Sequence, residues 1–194
     1  LKKLKVKQLY AVHVHNTGYL FSKFGPQIYK GLVEAKKLGL IKKWGVSTYT
    51  INELKNIISK YDIDLVLLPF NIFDQRTIKS NILKKLKNRG IEIHARSTFL
   101  QGLLLIDSLK IPKQFNKWLK IFKEWDKIVK KTKLTKFQIC LRYALSNPYL
   151  DKIILGMDSS KHLNQMIKNA GYIDLDVKKV NASSEINLIN PAKW

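Results

Sequence analysis

Residues 39–68 read GLIKKWGVSTYTINELKNIISKYDIDLVLL and contain a strand, a helix and a second strand. A short strand is predicted at residues 44–47. Thr50 and Glu53 then form a capping box, in which each residue satisfies a free backbone group at the start of a helix. Residues 65–68 are apolar on both faces, as in a buried strand of a parallel sheet. This stretch therefore predicts a parallel strand–helix–strand unit.

The same alternation runs along the whole chain. Strand-like segments recur at roughly 20 to 35 residues, apart from one longer excursion, which suits parallel β/α units. Five strands are predicted, at residues 9–15, 44–47, 65–68, 91–95 and 152–156. Eight such units close a barrel of about 250 residues. We therefore expect an α/β fold of the parallel (β/α)8 TIM-barrel type, here incomplete and lacking roughly the first three β/α units. The chain begins with Leu1 rather than methionine, so we expect residues 1–194 to form a single, N-terminally truncated domain.

Helix boundaries are marked by particular residues. Gly25-Pro26 opens a helix that Gly39 closes, a lysine-rich helix is predicted over residues 78–89, and a second capping box occupies residues 135–138. Three aromatic residues in the excursion before the fifth strand are interpreted as packing residues: Trp118, Phe122 and Trp125.

Composition narrows the class of protein. The chain has 45% hydrophobic and 26% charged residues, typical of a soluble globular protein and unlike a disordered one. No apolar run approaches the roughly 18 to 20 residues of a membrane span, so we expect no membrane association. The one cysteine, Cys140, cannot form an internal disulfide; we interpret it as a small buried helix residue in a cytoplasmic protein.

The net charge of +22 comes from 36 basic residues, of which only four are arginine. Dedicated nucleic-acid binders also use arginine for bidentate contacts, and here the lysines are spread over nearly every predicted helix. We therefore favour a solvated lysine-rich surface and expect no nucleic-acid partner. An anionic partner drawn in by the overall field stays open as an alternative.

In β/α barrels the working residues lie at the carboxyl ends of the strands, where they would converge on one mouth. These ends carry donors and acceptors but no carboxylate pair and no cluster of metal ligands, so we expect no metal. Neither GxGxxG nor GxxxxGK[ST] occurs. The pattern predicts a site that binds and polarises a small polar ligand. The residues concerned are His15, Asn16, Ser47, Thr48, 69–71, Arg96, Ser97 and 156–159.

These strand ends resemble the aldo-keto reductase family over essentially the whole chain. The similar segments, in the family's order, are residues 9–16, the GVS of 45–47 preceded by 39–43, ARSTFLQGLL at 95–104, 153–156 with Ser159 and Leu163, and 190–194. The resemblance implies that the chain corresponds to the family's fourth to eighth strands, with an NADPH-dependent oxidoreductase function and a small-molecule carbonyl substrate.

The resemblance also implies a role for each matching residue. His15 is the active-site histidine, whose neutral imidazole would hydrogen-bond the substrate carbonyl; the alternative is a core histidine, as we interpret His13 one layer deeper. Ser47 and the neighbouring Thr48 would contact the nicotinamide carboxamide, or Ser47 caps the following turn. Arg96 stands where many members stack an aromatic residue on the nicotinamide, or it is a surface ion-pair partner.

Further cofactor contacts are implied by the same resemblance. Ser97 follows Arg96 and is assigned to the cofactor. Ser159 and Ser160 lie at a predicted helix start, where free N–H groups favour an anion such as the 2′-phosphate, so NADPH is expected in preference to NADH. The alternative is an ordinary helix cap.

Several positions depart from the family pattern. Thr48 stands where the family has a carboxamide-binding asparagine, Leu67 where it has a glutamine, and Gly156 where it has a basic residue. His162 and Met166 stand in place of an arginine and an asparagine. The family's catalytic tyrosine, the lysine that lowers its pKa and an aspartate come from earlier strands and have no counterpart here. We therefore expect the chain alone to be inactive.

Two other hypotheses remain. One is a non-catalytic, cofactor-binding relative with a regulatory or scaffold role, which the departures favour; the other is a basic nucleic-acid-binding domain. The oligomeric state is open. No tyrosine of the chain is promoted to proton donor: Tyr10 is assigned to a strand, and Tyr19, Tyr29 and Tyr49 to loops or helices without a lysine partner.

Overall fold

A computed structural model describes all 194 residues, with five strands and eight α-helices. The strands are β1 (Leu9–Val14), β2 (Ile41–Ser47), β3 (Leu65–Pro69), β4 (Glu92–Arg96) and β5 (Lys152–Ile153). The helices are α1 (Gly25–Lys37), α2 (Ile51–Lys60), α3 (Arg76–Lys79), α4 (Ile82–Asn88), α5 (Leu119–Thr132), α6 (Lys136–Leu145), α7 (Ser160–Asn169) and α8 (Ile186–Ile189). None of these helices combines the length and apolarity that crossing a membrane requires.

The five strands form one sheet in which their order follows the sequence. β1 pairs with β2, and β2 pairs with β3, in parallel. Helices occur in the chain between each strand and the next. The prediction of a parallel α/β fold is therefore confirmed.

Contacts divide the chain into two compact units. Unit 1 comprises Leu1–Leu68 and Ile82–His94, and unit 2 comprises Pro69–Asn81 and Ala95–Trp194.

The sheet of unit 1 is strongly curled. Neighbouring strands lie about 4.8 Å apart, so β1 and the third strand beyond it, β4, would be separated by about 14 Å in a flat sheet. Instead the rings of His13 on β1 and His94 on β4 have centroids 6.0 Å apart. A curl of this kind gives the sheet a concave inner face, as in the wall of a barrel.

Unit 2 is held by an aromatic cluster. Phe122 and Trp125 of α5 and the preceding Trp118 are buried together with apolar residues from the start and the end of the unit. Their interpretation as packing residues is confirmed. Cys140 is buried in the same cluster, and burial raises the pKa of its thiol, so it is a small core residue as predicted.

The predicted lysine-rich helix is interrupted. Its residues form α3 and α4, which are separated by Ser80 and Asn81, and Asn81 has a φ of 54°. A left-handed residue cannot continue a right-handed helix, and asparagine adopts that conformation more readily than most residues. The spacing of apolar residues on either side of Asn81 predicted one continuous helix, but the backbone forms two.

Two strands, β2 and β5, differ most in length from their predictions. β2 begins at Ile41 rather than residue 44, because Ile41 pairs with Leu9 and is buried. β5 has only two residues, although the backbone N–H of Ile154 still donates to the carbonyl of Ala95 at 2.7 Å.

Both capping boxes are confirmed. At α6, Thr135 Oγ1 accepts from the backbone N–H of Gln138 at 3.2 Å, and Gln138 Oε1 accepts from that of Thr135 at 2.9 Å. We expect Thr135→Ala to lower the free energy of unfolding by about 1 kcal/mol, because a helix-end donor loses its partner. Urea unfolding measures this. Ser59→Ala, at an exposed position of α2, is the control and should change stability by less than about 0.5 kcal/mol. Equal losses in the two variants would contradict the prediction.

Candidate functional site

In unit 1 the predicted site residues stand at the carboxyl ends of neighbouring strands. Val14 pairs with Val46, so His15 and Ser47 are the residues that follow this pair on β1 and β2. His15 is exposed, whereas Ser47 and Thr48 are almost fully buried. The backbone N–H of Thr48 donates to the carbonyl of Leu67 at 2.9 Å. The structure thus places His15, Ser47 and Thr48 at the sheet edge where they were expected.

In unit 2, Arg96 ends β4 and Ser97 begins an unusual loop. Ser97, Leu100, Gln101 and Gly102 all have positive φ, between 47° and 84°. The left-handed conformation is unfavourable for side-chain-bearing residues and is kept only where the surroundings enforce it. Here the N–H of Leu100 donates to the carbonyl of Ser97 at 2.9 Å, which closes one turn. Residues 97–102 are called the 97–102 loop below.

The side chain of Asn71 supports this loop from the end of β3. Its Nδ2 donates to the carbonyl of Ser97 at 3.2 Å, while its Oδ1 accepts from the backbone N–H groups of Phe73 and Asp74, both at 3.0 Å. One buried amide therefore ties two strand-end loops of unit 2 together. In the sequence, Asn71 stands out only as part of the strand end at residues 69–71.

A cleft of about 440 Å³ opens beside the 97–102 loop and is called the Arg96 cleft. It is lined by Arg96, Ser97, Thr98, Phe99, Gln101, Gly102, Ile154, Leu155 and Gly156. Within it, the hydroxyl of Thr98 is buried without a hydrogen-bond partner, and the residue is only 2% exposed. A buried polar group normally has a partner, because removing it from water costs free energy. Thr98 is thus a lining residue of the cleft whose hydroxyl has no hydrogen-bond partner within the protein.

Ser159 and Ser160 lie at the start of α7, as predicted. The hydroxyl of Ser159 accepts from the backbone N–H of His162 at 3.2 Å, so it caps the helix. Both serines are exposed, and neither lines the Arg96 cleft, whereas Gly156 does. The structure brings Arg96 and Ser97 together but leaves these two serines outside that cleft.

A polar cluster around the buried carboxylate of Glu92 lies in unit 1 and was not predicted. Glu92 is 8% exposed, and its carboxylate accepts from the hydroxyl of Tyr10 at 2.6 Å and contacts the ammonium of Lys43. His94 Nε2 lies 2.6 Å from Glu92 Oε1, and the ring of His13 faces that of His94. These five residues are called the Glu92 cluster. The available sequence signal was the alternation Glu92, His94, Arg96, which puts three polar side chains on one strand face.

The surroundings in the Glu92 cluster shift the pKa values of two of its side chains. The hydrogen bond from Lys43 to Glu92 raises the pKa of that lysine, because it favours the ammonium form. Burial lowers the pKa of His13, and the charge of nearby His94 lowers it further. The cluster therefore favours the ammonium form of Lys43 and the uncharged form of His13.

No three His, Cys, Asp or Glu side chains are arranged in a way that could hold a metal ion.

Comparison with known proteins identifies relatives of the whole chain. A model described as the Aldo/keto reductase family matches residues 1–187. An uncharacterized oxidoreductase, YqkF of Bacillus subtilis (strain 168), is 25% identical over an alignment of 160 residues that covers 77% of this chain and 51% of that protein. The chain thus spans about half the length of this curated relative.

Solved structures share the fold. The holo form of aldo-keto reductase AKR11C1 from Bacillus halodurans matches 100% of this chain and 67% of its own, with a TM-score of 0.70 and 14% identity. The glycerol dehydrogenase AKR11B4 from Gluconobacter oxydans matches 98% of this chain and 63% of its own, with a TM-score of 0.66 and 18% identity. By the match over residues 1–187, this chain belongs to the aldo/keto reductase family.

Proposed function

We propose that the chain is part of an NADPH-dependent oxidoreductase that reduces an aldehyde, ketone or sugar carbonyl by hydride transfer. The observation that carries this proposal is the Arg96 cleft. Its volume of about 440 Å³ lies within the range of small-ligand sites, roughly 300 to 1,000 Å³. Its lining comes from two strand ends, β4 and β5, where ligands of parallel α/β folds bind.

The residues of the cleft fit a dinucleotide. A Cβ added at Gly102 or Gly156 would meet nothing within 4 Å, so the backbone stands open to a large planar or phosphorylated group. Arg96 adds positive charge, and the buried Thr98 hydroxyl supplies a polar contact. We propose that Arg96, Ser97 and Thr98 hold part of the cofactor, which when bound supplies the hydride.

We propose that His15 acts on the substrate. As an exposed residue directly after β1, its imidazole N–H would donate to the carbonyl oxygen and orient it. A neutral imidazole stabilises negative charge developing on that oxygen without giving up its own proton as a strong acid. Ser47 and Thr48, on the adjacent strand, are proposed to contact the carboxamide of the cofactor.

The proton for the reduced carbonyl is proposed to come from elsewhere in the complete polypeptide. The family's tyrosine, lysine and aspartate belong to its first three strands, and the chain spans 51% of YqkF and 67% of AKR11C1. Together with the curled sheet, this supports the proposal of an incomplete (β/α)8 barrel. We further propose that it is a single domain of a cytoplasmic protein. Since general acid catalysis contributes typically about 10²- to 10⁴-fold, the chain alone should reduce carbonyls poorly.

A non-catalytic role is the second candidate. Leu67 lies near the carboxyl end of β3, and its backbone carbonyl accepts from the N–H of Thr48. Its side chain has no donor or acceptor for a carboxamide. A cofactor-binding regulator would retain NADPH binding and lack reductase activity in the full-length polypeptide. A full-length protein that binds NADPH and reduces carbonyls would exclude it.

Thr98→Val gives a direct test of the cofactor site. We expect it to stabilise the ligand-free chain by about 1 kcal/mol or more, because an unpartnered buried hydroxyl is removed, and to weaken NADPH binding several-fold. NADPH fluorescence titration and urea unfolding measure the two effects.

Thr77→Val is the matched control. Thr77 has a second buried and unpartnered hydroxyl, but it does not line the Arg96 cleft. Thr77→Val should raise the free energy of unfolding in the same way as Thr98→Val and leave the affinity for NADPH unchanged. If wild-type chain and a full-length polypeptide both fail to bind NADPH or NADH, the proposed function is wrong.

A further inference from the structure

The side chain of Asn71 is buried and bonded to backbone groups on both of its sides. Only 1% of the residue is exposed. The backbone N–H groups of Phe73 and Asp74 both donate to one side of the amide at 3.0 Å, so the atom on that side is the oxygen. The amide nitrogen then lies on the other side, where it donates to the carbonyl of Ser97 at 3.2 Å. The orientation of the amide is therefore fixed by its partners.

The turn that carries Asn71 is held by the C-terminal segment of unit 2. The N–H of Ala182 donates to the carbonyl of Phe73 at 2.9 Å. The N–H of Gln75 donates to the hydroxyl oxygen of Ser183 at 2.9 Å. The side chain of Gln75 is buried, and its Nε2 donates to a backbone carbonyl of the same segment at 2.9 Å. Because buried and hydrogen-bonded backbone opens only at a high cost in free energy, Asn71 acts from a fixed position.

Ser97 is the residue of this arrangement whose conformation needs support. Its φ of 59° is left-handed, which is unfavourable for a residue with a side chain and persists only where the surroundings enforce it. Its carbonyl accepts two hydrogen bonds, one from the N–H of Leu100 at 2.9 Å and one from Asn71 at 3.2 Å. The side chain of Leu100 is fully buried and anchors the far side of the 97–102 loop. The amide of Asn71 anchors the near side, at the strained residue itself.

The strained residue belongs to the wall of the Arg96 cleft. Arg96, Ser97 and Thr98 line the cleft one after another along the chain, whereas Asn71 does not line it. If Ser97 returned to an ordinary backbone conformation, the peptide groups on both sides of it would rotate. The side chains of Arg96 and Thr98 would then be displaced, because each stands next to one of those peptide groups. Asn71 thus controls the shape of the cleft without being part of its surface.

We propose that Asn71 is a positioning residue for the cofactor. Its amide N–H holds Ser97 in the left-handed conformation and thereby places Arg96, Ser97 and Thr98 where they meet the ligand. This step rests on the proposed function, in which the Arg96 cleft holds part of NADPH. A cleft built in this way is preformed, so binding does not have to supply the free energy that orders the loop. Loss of the Asn71 amide therefore weakens cofactor binding, although Asn71 does not line the cleft.

Asn71→Ser tests this role in the full chain. A serine oxygen can still accept from the N–H two residues on, as in an ST turn, but it is too short to reach the carbonyl of Ser97. Hydrogen exchange of the Leu100 amide, measured without ligand, should lose about fivefold to thirtyfold of its protection, while the amides of α5 keep theirs. In NADPH fluorescence titration the dissociation constant should rise by a similar factor. Asn71→Asp keeps the oxygen acceptor and the side-chain size but loses the amide donor, and it should give the same two results.

Asn147→Ser is the matched control. Asn147 forms the same kind of turn, in which its Oδ1 accepts from the N–H of Tyr149 at 3.0 Å, but it does not line the Arg96 cleft. Its replacement should leave both the protection of the Leu100 amide and the affinity for NADPH unchanged.

Three results would overturn the proposal. One is wild-type protection of the Leu100 amide in both Asn71 variants, and another is wild-type affinity for NADPH in a variant that has lost this protection. The third is an equal loss of protection in α5, because Asn71 would then support the whole of unit 2. If the wild-type protein binds no NADPH, the proposed function fails, whereas the exchange measurement still decides whether Asn71 holds Ser97.

Discussion

Gly45→Ala is expected to remove about 3 kcal/mol or more of unfolding free energy and to leave unit 1 largely unfolded. A Cβ at this position would lie 1.9 Å from the carbonyl oxygen of Leu65 and 2.7 Å from its carbonyl carbon. Both are backbone atoms at the first pair of the β2–β3 register, where Gly45 stands opposite Leu65. No side-chain rotation relieves that overlap, so the strands themselves would have to separate. Circular dichroism and urea unfolding measure the loss.

Gly31→Ala is the matched control for this substitution. Gly31 lies within α1, and an added Cβ would meet nothing within 4 Å. Alanine should stabilise the helix by about 0.5 to 1 kcal/mol, because glycine loses more backbone entropy on folding. A Gly45→Ala protein as stable as wild type would show that the parallel pairing of β2 and β3 is wrong.

Trp125→Ala should cost unit 2 about 3 to 5 kcal/mol. The indole is fully buried in the aromatic cluster, and its N–H donates to the carbonyl of Leu104 at 2.9 Å. The substitution leaves a large cavity and a buried carbonyl without its partner. Urea unfolding, followed by far-ultraviolet circular dichroism, gives the change in free energy.

Trp125→Phe separates the two contributions. Phenylalanine retains much of the apolar contact but cannot donate to Leu104, so we expect a loss of about 1 to 3 kcal/mol. Trp194→Ala, at a position 42% exposed, should cost less than Trp125→Ala. The interpretation fails if the alanine variants at 125 and 194 are equally stable.

Local rules explain which parts of the fold were predictable. The two capping boxes and the helix end at Gly39 depend on residues a few positions apart, and these were found where expected. The break at Asn81 was missed because asparagine has no fixed backbone conformation, and only tertiary packing selects the left-handed one. Similarly, Ile41 belongs to β2 because of its pairing with Leu9, which no local pattern reveals.

The residues of the candidate site also fall into those that could be predicted from the sequence and those that could not. His15, Ser47 and Arg96 could be located by reading strand ends, because each of them ends or directly follows a strand. The Glu92 cluster joins residues that are up to 82 positions apart in sequence, and it exists because the sheet curls. The unpartnered Thr98 hydroxyl was equally hidden, since a partner's absence is a property of three-dimensional surroundings.

The 97–102 loop has a consequence for protein engineering. Because Ser97, Leu100 and Gln101 are left-handed, β-branched residues at these positions would strain the backbone. Glycine or asparagine would be accepted at Ser97 and Gln101, whereas Leu100 is fully buried in the core of unit 2 and should stay apolar. A mutant library meant to alter ligand preference therefore has two kinds of position beside the Arg96 cleft. Phe99 is not left-handed, so its backbone accepts most residues, but its ring stacks on that of Phe137 with centroids 5.1 Å apart and should be replaced only by apolar residues. Its left-handed neighbours should be limited to the few residues that accept their backbone conformation.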